Sequence, residues 1–201
     1  ARLHIWSSSA SGPTSIDVAT FRMQMDALAE CGYKVLSGQE FLDWHGTPGP
    51  GAQPRALITF DDGFADFATA ALPVLHAHGF AATVFVPTGK LGGSEDWRGA
   101  NVPARPLLDW KTLRELVQAG IEFGGHGVTH ADLTRLGAED RAREIQTCAQ
   151  QLAMHTGRPT RWFAAPYGHV NGAVRSDLAA VFEMAFGTRF GPAVPGCDRF
   201  D

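Results

Sequence analysis

The sequence predicts an α/β fold on a parallel sheet, and three observations predict it. Apolar runs of strand length alternate with segments of helical periodicity, at roughly 30 to 40 residues per unit. The run Ala56-Leu-Ile-Thr-Phe60 is continuously apolar, as in strands buried on both faces. Gly32, Gly79, Gly120 and Gly157 each stand just past a helical segment, where the chain must turn back. The chain has 201 residues, 44% of them hydrophobic and 19% charged, which supplies one substantial core. A full eight-unit barrel typically needs ~250 residues, so fewer units or an open sheet are expected. With no repeat, low-complexity tract or interdomain linker, residues 1–201 read as a single domain.

Each element has its own local cause. Val18, Phe21, Met25 and Leu28 recur at helical spacing before Gly32. Residues 33–36 read as a short strand, and Ser37-Gly-Gln-Glu40 is a capping box that opens a helix toward Trp44. Residues 46–54, with three Gly and three Pro, read as loop before the strand 56–60. A helix is expected from about Phe64 to His78, then a strand over 82–86. Residues 87–106 form a long Gly- and Pro-rich excursion, a feature that in a compact domain is often functional. Asp109 caps a helix bearing Leu113, Leu116 and Val117, followed by a strand over 121–125. A long helix over 138–156 turns Ile145, Cys148 and Leu152 inward. The strand 161–165, a helix capped by Asn171 and a strand over 184–188 complete the pattern.

Composition excludes several classes of function. The 17 basic and 21 acidic residues give a net charge of -4, so no basic excess exists to neutralise nucleic-acid phosphates. No apolar run of about 18 residues is present, so no transmembrane segment is read. The segment ARLHIWSSSASG lacks the basic start and apolar centre of a signal peptide. Cys31, Cys148 and Cys197 are too few and too scattered for a disulfide framework or a cysteine zinc site. Neither oligomeric state nor redox compartment is legible.

Polar residues concentrate where three strands end. The strand 56–60 runs into Asp61-Asp62-Gly63, the strand 121–125 into His126-Gly-Val-Thr-His130, and the strand 161–165 into Pro166-Tyr167-Gly168-His169. In parallel α/β folds those loops share one rim and carry the chemistry. Taken alone, Asp61-Asp62-Gly63 also reads as an ordinary turn, and His126 and His130 as surface or cap histidines. Adjacent carboxylates repel, however, and a cation would compensate them. One Asp and two His make a three-ligand set with open positions, the form of a catalytic metal site. His45, His76, His78 and His155 read as surface or helix-end residues, and Trp97 and Trp110, at and beside the excursion, as lining for a cleft or, more commonly for a lone Trp, as core.

Thr59-Phe60-Asp61-Asp62-Gly63, His126-Gly-Val-Thr-His130 and Phe163-Ala-Ala-Pro166-Tyr167-Gly168 resemble, in order and separation, the first three motifs of the polysaccharide deacetylases (carbohydrate esterase family 4, the NodB-homology domain). The flanks Leu108-Asp-Trp110 and Ala81-Ala-Thr-Val-Phe-Val86 match too, and the resemblance runs from about residue 17 to residue 190. It implies a distorted (β/α)7 barrel and a hydrolase that removes acetyl groups from N-acetylated polysaccharide or oligosaccharide. It further implies that Asp62, His126 and His130 bind a divalent metal, commonly zinc and in some members cobalt or nickel. Asp61 would be the general base toward the attacking water, and the Tyr167 backbone N–H would hold the oxyanion.

Two departures from the family pattern stand out. Ala164 occupies the position of the usual Arg that orients the base, a variant some exopolysaccharide deacetylases resemble. The late Asp…Trp and Leu-X-His motifs are missing, and no histidine follows Asn171. The general acid must then come from His169, from His4 (shorter members resemble this chain in starting with a His-bearing strand), from Asp61 itself, or from elsewhere. Two alternatives stand beside the deacetylase reading. One is a carbohydrate-binding homologue impaired in catalysis; the other is a non-haem iron enzyme, which also uses two His and one carboxylate. A polymeric substrate would place the protein in the cell envelope or outside the cell.

Overall fold

A computed structural model describes residues 5–6, 16–46, 53–97, 103–188 and 198–200. His4 lies outside the described residues. The order is β1 (Ile5–Trp6), β2 (Ile16–Asp17), α1 (Val18–Glu30), β3 (Lys34–Leu36), α2 (Gly38–Gly46), β4 (Arg55–Leu57), β5 (Thr59–Phe60), α3 (Leu72–His78), β6 (Thr83–Val86), α4 (Trp110–Gln118), β7 (Glu122–Gly125), α5 (Ala138–Thr156), β8 (Trp162–Ala164), α6 (Gly172–Ala179) and β9 (Met184–Phe186). Five strands pair in the order β5-β6-β7-β8-β9, and β1-β2 and β3-β4 form two further pairs. Every one of these pairings is parallel. The sheet curls into part of a distorted (β/α) barrel, the predicted class.

The helices begin and end where the local chemistry directs. Asp17, Asp109 and Asn171 accept the backbone N–H groups of Thr20, Thr112 and Val174 at 2.8, 2.7 and 3.0 Å. Ser37 and Glu40 close both arms of the capping box, at 3.2 and 2.9 Å. α5 occupies the predicted 138–156 span and ends at Gly157 in the left-handed conformation.

Two expectations change. The run 56–60 is not one strand: β4 pairs with β3, whereas β5 pairs with β6, so the chain changes partners at Ile58. A curling sheet needs such a corner. The helix expected from Phe64 starts later, because Phe64 is bridged to Leu107. Residues Phe67–Ala71 form a widened π turn in which the Leu72 N–H reaches the Phe67 carbonyl. Pro73, which has no N–H to give, follows directly in the first turn of α3, where that N–H is not needed.

Alternation along the strands fills two layers. Val84 and Val86 of β6 join Phe21, Met25 and Leu113 between sheet and helices, while Phe85 points the other way. There it meets Leu36, Trp162, Ala164 and Met184 from β3, β8 and β9, with Phe41 from α2. His45, expected at the surface, is buried at the end of α2, its ring 6.3 Å from that of Phe41. The reason is that α2 packs its last turn onto this inner layer rather than facing solvent.

β7 lies close against both neighbours because Gly124 has no side chain. A methyl group there would run into the Phe85 ring and stand 3.0 Å from the Trp162 carbonyl oxygen. Gly124→Ala is therefore expected to cost about 1–3 kcal/mol by overpacking. Urea unfolding is the measurement, and a midpoint equal to wild type would show that the layer yields instead.

Candidate active site

The three polar loops meet on one rim, at the carboxyl ends of β5, β7 and β8. Asp61 is buried and Asp62 half-buried. Asp62 adopts φ 71°, in the left-handed region, and its Oδ1 lies 3.1 Å from His130 Nε2 and 3.3 Å from His126 Nε2. One donor atom from each of these three residues lies within 4.8 Å of the others. Ligands about 2.0–2.1 Å from a tetrahedral ion stand about 3.4 Å apart, so the donor set and spacing fit a divalent cation.

The two imidazoles are held by different means. His126 is buried, its backbone N–H bonds the Val86 carbonyl at 3.1 Å, and Nδ1 lies 2.7 Å from the Ala164 carbonyl. A carbonyl only accepts, so Nδ1 carries a hydrogen and Nε2 faces Asp62. His130, with φ 63°, is held through its ring faces. Trp97 stacks on it at 4.0 Å and 16°, and Tyr167 meets it edge-on at 4.8 Å. Its Nδ1 is buried without a hydrogen-bond partner among the described residues.

The three groups shift one another's ionisation. Burial pushes the Asp62 carboxyl up, but hydrogen bonds and positive charge from His126 and His130 outweigh it and hold the group well below the usual carboxylate range. Burial pulls His126 down, yet Asp62 and Asp61 raise it overall. Burial leaves His130 lowered. The Tyr167 phenol is raised, first by desolvation and then by Asp62, Asp132 and Asp96.

Tyr167 sits in the turn Pro166–Gly168 with φ 60°, its side chain partly exposed at the rim. His169 follows, its Nδ1 bonded to Asp132 Oδ2 at 2.8 Å. The other oxygen of Asp132 accepts from Thr134, which fixes the carboxylate. The rings of Tyr167 and His169 are 5.9 Å apart, so His169 borders the same cluster.

The family model described as polysaccharide deacetylase matches residues 49–181, a span that contains all three loops. The chain belongs to the polysaccharide deacetylase family. A chitooligosaccharide deacetylase of Sinorhizobium fredii is 34% identical over 122 residues, covering 60% of this chain and 49% of that protein. The chain spans about half the length of the curated relatives it matches first. Among solved structures, IcaB from Ammonifex degensii superposes with a TM-score of 0.85 at 24% identity, over 98% of this chain and 87% of that one. The Streptococcus pyogenes deacetylase PplD, in complex with acetate, gives 0.80 at 23% identity, over 94% and 84%. Both superpositions show the fold of this chain.

Of the residues singled out in the sequence, Asp61, Asp62, His126, His130, Tyr167 and His169 all stand on this rim. Trp97, read as cleft lining or as core, lies in neither a strand nor a helix and covers the face of His130. Asp132 and Glu144 escaped notice. For Glu144 a signal existed: with Cys148 and Leu152 it makes a four-residue repeat, so a charge stands in an otherwise buried stripe.

The excursion that delivers Trp97 is tied down beside it. Glu95 is 1% exposed and pairs with Arg105, whose guanidinium lies 3.6 Å over the Phe64 ring. Arg105→Ala is expected to destabilise the fold by about 3–5 kcal/mol, since it strips a buried carboxylate of its cation. Denaturant unfolding measures this, and a loss under about 1 kcal/mol would deny the pair its anchoring role.

Proposed function

We propose that this chain is a single deacetylase domain that hydrolyses N-acetyl groups of N-acetylglucosamine-type polysaccharides or oligosaccharides with the help of one divalent metal. The observation that carries the reading is the convergence of Asp62, His126 and His130 on the rim of a deacetylase fold. The name of the chitooligosaccharide deacetylase relative supports the substrate class. Two imidazoles and a carboxylate suit zinc, with cobalt or nickel as alternatives. A bound cation supplies Lewis acidity for the acetamide carbonyl and lowers the pKa of water toward about 7.

The chain's own residues divide the remaining work. Asp62, His126 and His130 hold the metal. Asp61, next in sequence to a ligand but outside the donor cluster, takes the proton of the attacking water, a contribution of about 10²–10⁴-fold. The left-handed backbone at Tyr167 offers its N–H to the oxyanion, worth on the order of 3 kcal/mol. His169, oriented by Asp132 through Nδ1, presents Nε2 for protonating the leaving amine. A polymeric substrate would place the reaction in the cell envelope or outside the cell. The iron-enzyme alternative loses its footing, because the triad stands on the α/β sheet of the deacetylase family. A binding protein impaired in catalysis would show saccharide binding but no acetate release with zinc present.

Two experiments test the roles. Purified protein is expected to hold about one zinc per chain and to lose it in His126→Ala. Asp62→Asn should also lose metal, whereas Asp61→Asn should keep it and lose about 3–5 kcal/mol of transition-state stabilisation. Metal analysis and acetate release from N-acetylglucosamine oligomers, run side by side, decide. Metal lost from Asp61→Asn and kept by Asp62→Asn would exchange the two roles.

His169→Ala is expected to lower kcat roughly 10²-fold with KM little altered. A wild-type kcat would hand the proton to His4, to Asp61 or to a residue elsewhere.

A further inference from the structure

We infer that Glu144 of α5 is the positioning residue that sets the loop between His126 and His130, and through it the geometry of the metal ligands. The inference rests on the ligand reading proposed above. Glu144 Oε2 accepts the backbone N–H groups of Val128 at 2.7 Å and Thr129 at 2.9 Å. Its Oε1 accepts the Thr129 hydroxyl at 2.7 Å. One carboxylate thus takes three hydrogen bonds from two consecutive residues lying between the two imidazoles.

The opposite edge of the loop is fastened as well. The Gly127 and Val128 carbonyls accept the N–H groups of Thr88 and Gly89 at 3.0 and 2.9 Å. The loop's donors therefore go to α5 and its acceptors to the turn after β6. Glu144 also closes on the loop sterically: a Cβ at Gly127 would stand 2.9 Å from Oε2. One turn along α5, Cys148 packs under the same segment, its Sγ 3.0 Å from where a Cβ on Gly125 would lie.

The two histidines do not depend on this brace equally. His126 is fixed by the bond of its N–H to the Val86 carbonyl and by the Ala164 carbonyl, neither of which α5 supplies. His130 has no hydrogen bond at Nδ1 among the described residues and holds a left-handed backbone next to Thr129. Its backbone conformation is set by the residues that Glu144 grips. Without the carboxylate, two N–H groups lose their partner, and His130 is the ligand expected to drift. Such supporting contacts commonly change metal affinity 10–100-fold.

The test is zinc affinity of the whole chain, measured by competition with a chromophoric chelator, with the thermal midpoint of the metal-free protein recorded alongside. Glu144→Ala is expected to weaken zinc 10–100-fold, and Glu144→Gln to stay within about threefold of wild type. The Gln oxygen accepts both N–H bonds while its amide donates to the Thr129 hydroxyl, so rescue separates loop positioning from a need for negative charge. If Glu144→Ala does not fold, Thr129→Val carries the test, with a drop of about tenfold from the loss of one bond to a charged group. Wild-type affinity in Glu144→Ala, or in Thr129→Val where that variant carries the test, with zinc lost in His126→Ala, overturns the inference and leaves the ligand reading standing. Zinc retained by His126→Ala overturns the ligand reading, and this inference with it.

Discussion

Bringing polar side chains from separate loops together at the end of an apolar sheet demands backbone that ordinary residues avoid. Among the described residues, three that are not glycine adopt left-handed φ: Asp62, His130 and Tyr167. Each costs on the order of 1–3 kcal/mol and persists only where its surroundings over-determine it. All three meet at one place, His130 touching Asp62 through Nε2 and Tyr167 through its ring. The surroundings supply the determination. The Leu108 N–H bonds the Gly63 carbonyl at 2.8 Å, the Gly168 N–H bonds Ala165 at 2.8 Å, and Thr88 and Gly89 hold the loop after β7. Strain gathered at one rim, against tight bonding around it, is the physical signature of a built site.

That constraint explains why the sheet must be so uniformly apolar. β6 lies between β5 and β7 and contributes Val84, Phe85 and Val86, each 0% exposed, so the strands that carry the site cannot shift without opening a core. The ends of β5 and β7 then stand at fixed separation, and only the loops remain to bring Asp62 to the histidines. The aromatic residues finish the enclosure. Trp97 and Tyr167 cover His130 on two sides and reduce its access to water, which strengthens every charge interaction inside.

Legibility in the sequence followed the range of the forces involved. Caps at Asp109 and Asn171, the Ser37–Glu40 box and the Gly157 stop are decided within a few residues, and each stands where it was read. The rim was legible because parallel topology puts the loops after β5, β7 and β8 on one side, whatever the details. Decisions made across the fold were not. The change of partner at Ile58 depends on where β3 lies, the burial of His45 on the inner layer, and the stacking of Trp97 on a strap held by Glu95 and Arg105. Glu144 lies between these cases: its helical spacing with Cys148 marks a half-buried charge, but only the fold says what it grips.

The adjacent aspartates show how one dihedral separates two roles. Alternation along a strand gives a first reason for Asp61 and Asp62 to face different ways. The chain, however, has already left β5 at Phe60, and the left-handed turn at Asp62 does the separating, sending its carboxylate to the histidines while Asp61 stays buried beside β5. Ala164 makes the complementary point. Its contribution to the site is a main-chain carbonyl, so the His126 tautomer is fixed whichever side chain occupies that position. The alanine at position 164 therefore leaves the hydrogen bond that orients His126 intact. Under the roles proposed above, the departure from the family pattern bears on Asp61 as the base and not on the metal ligands.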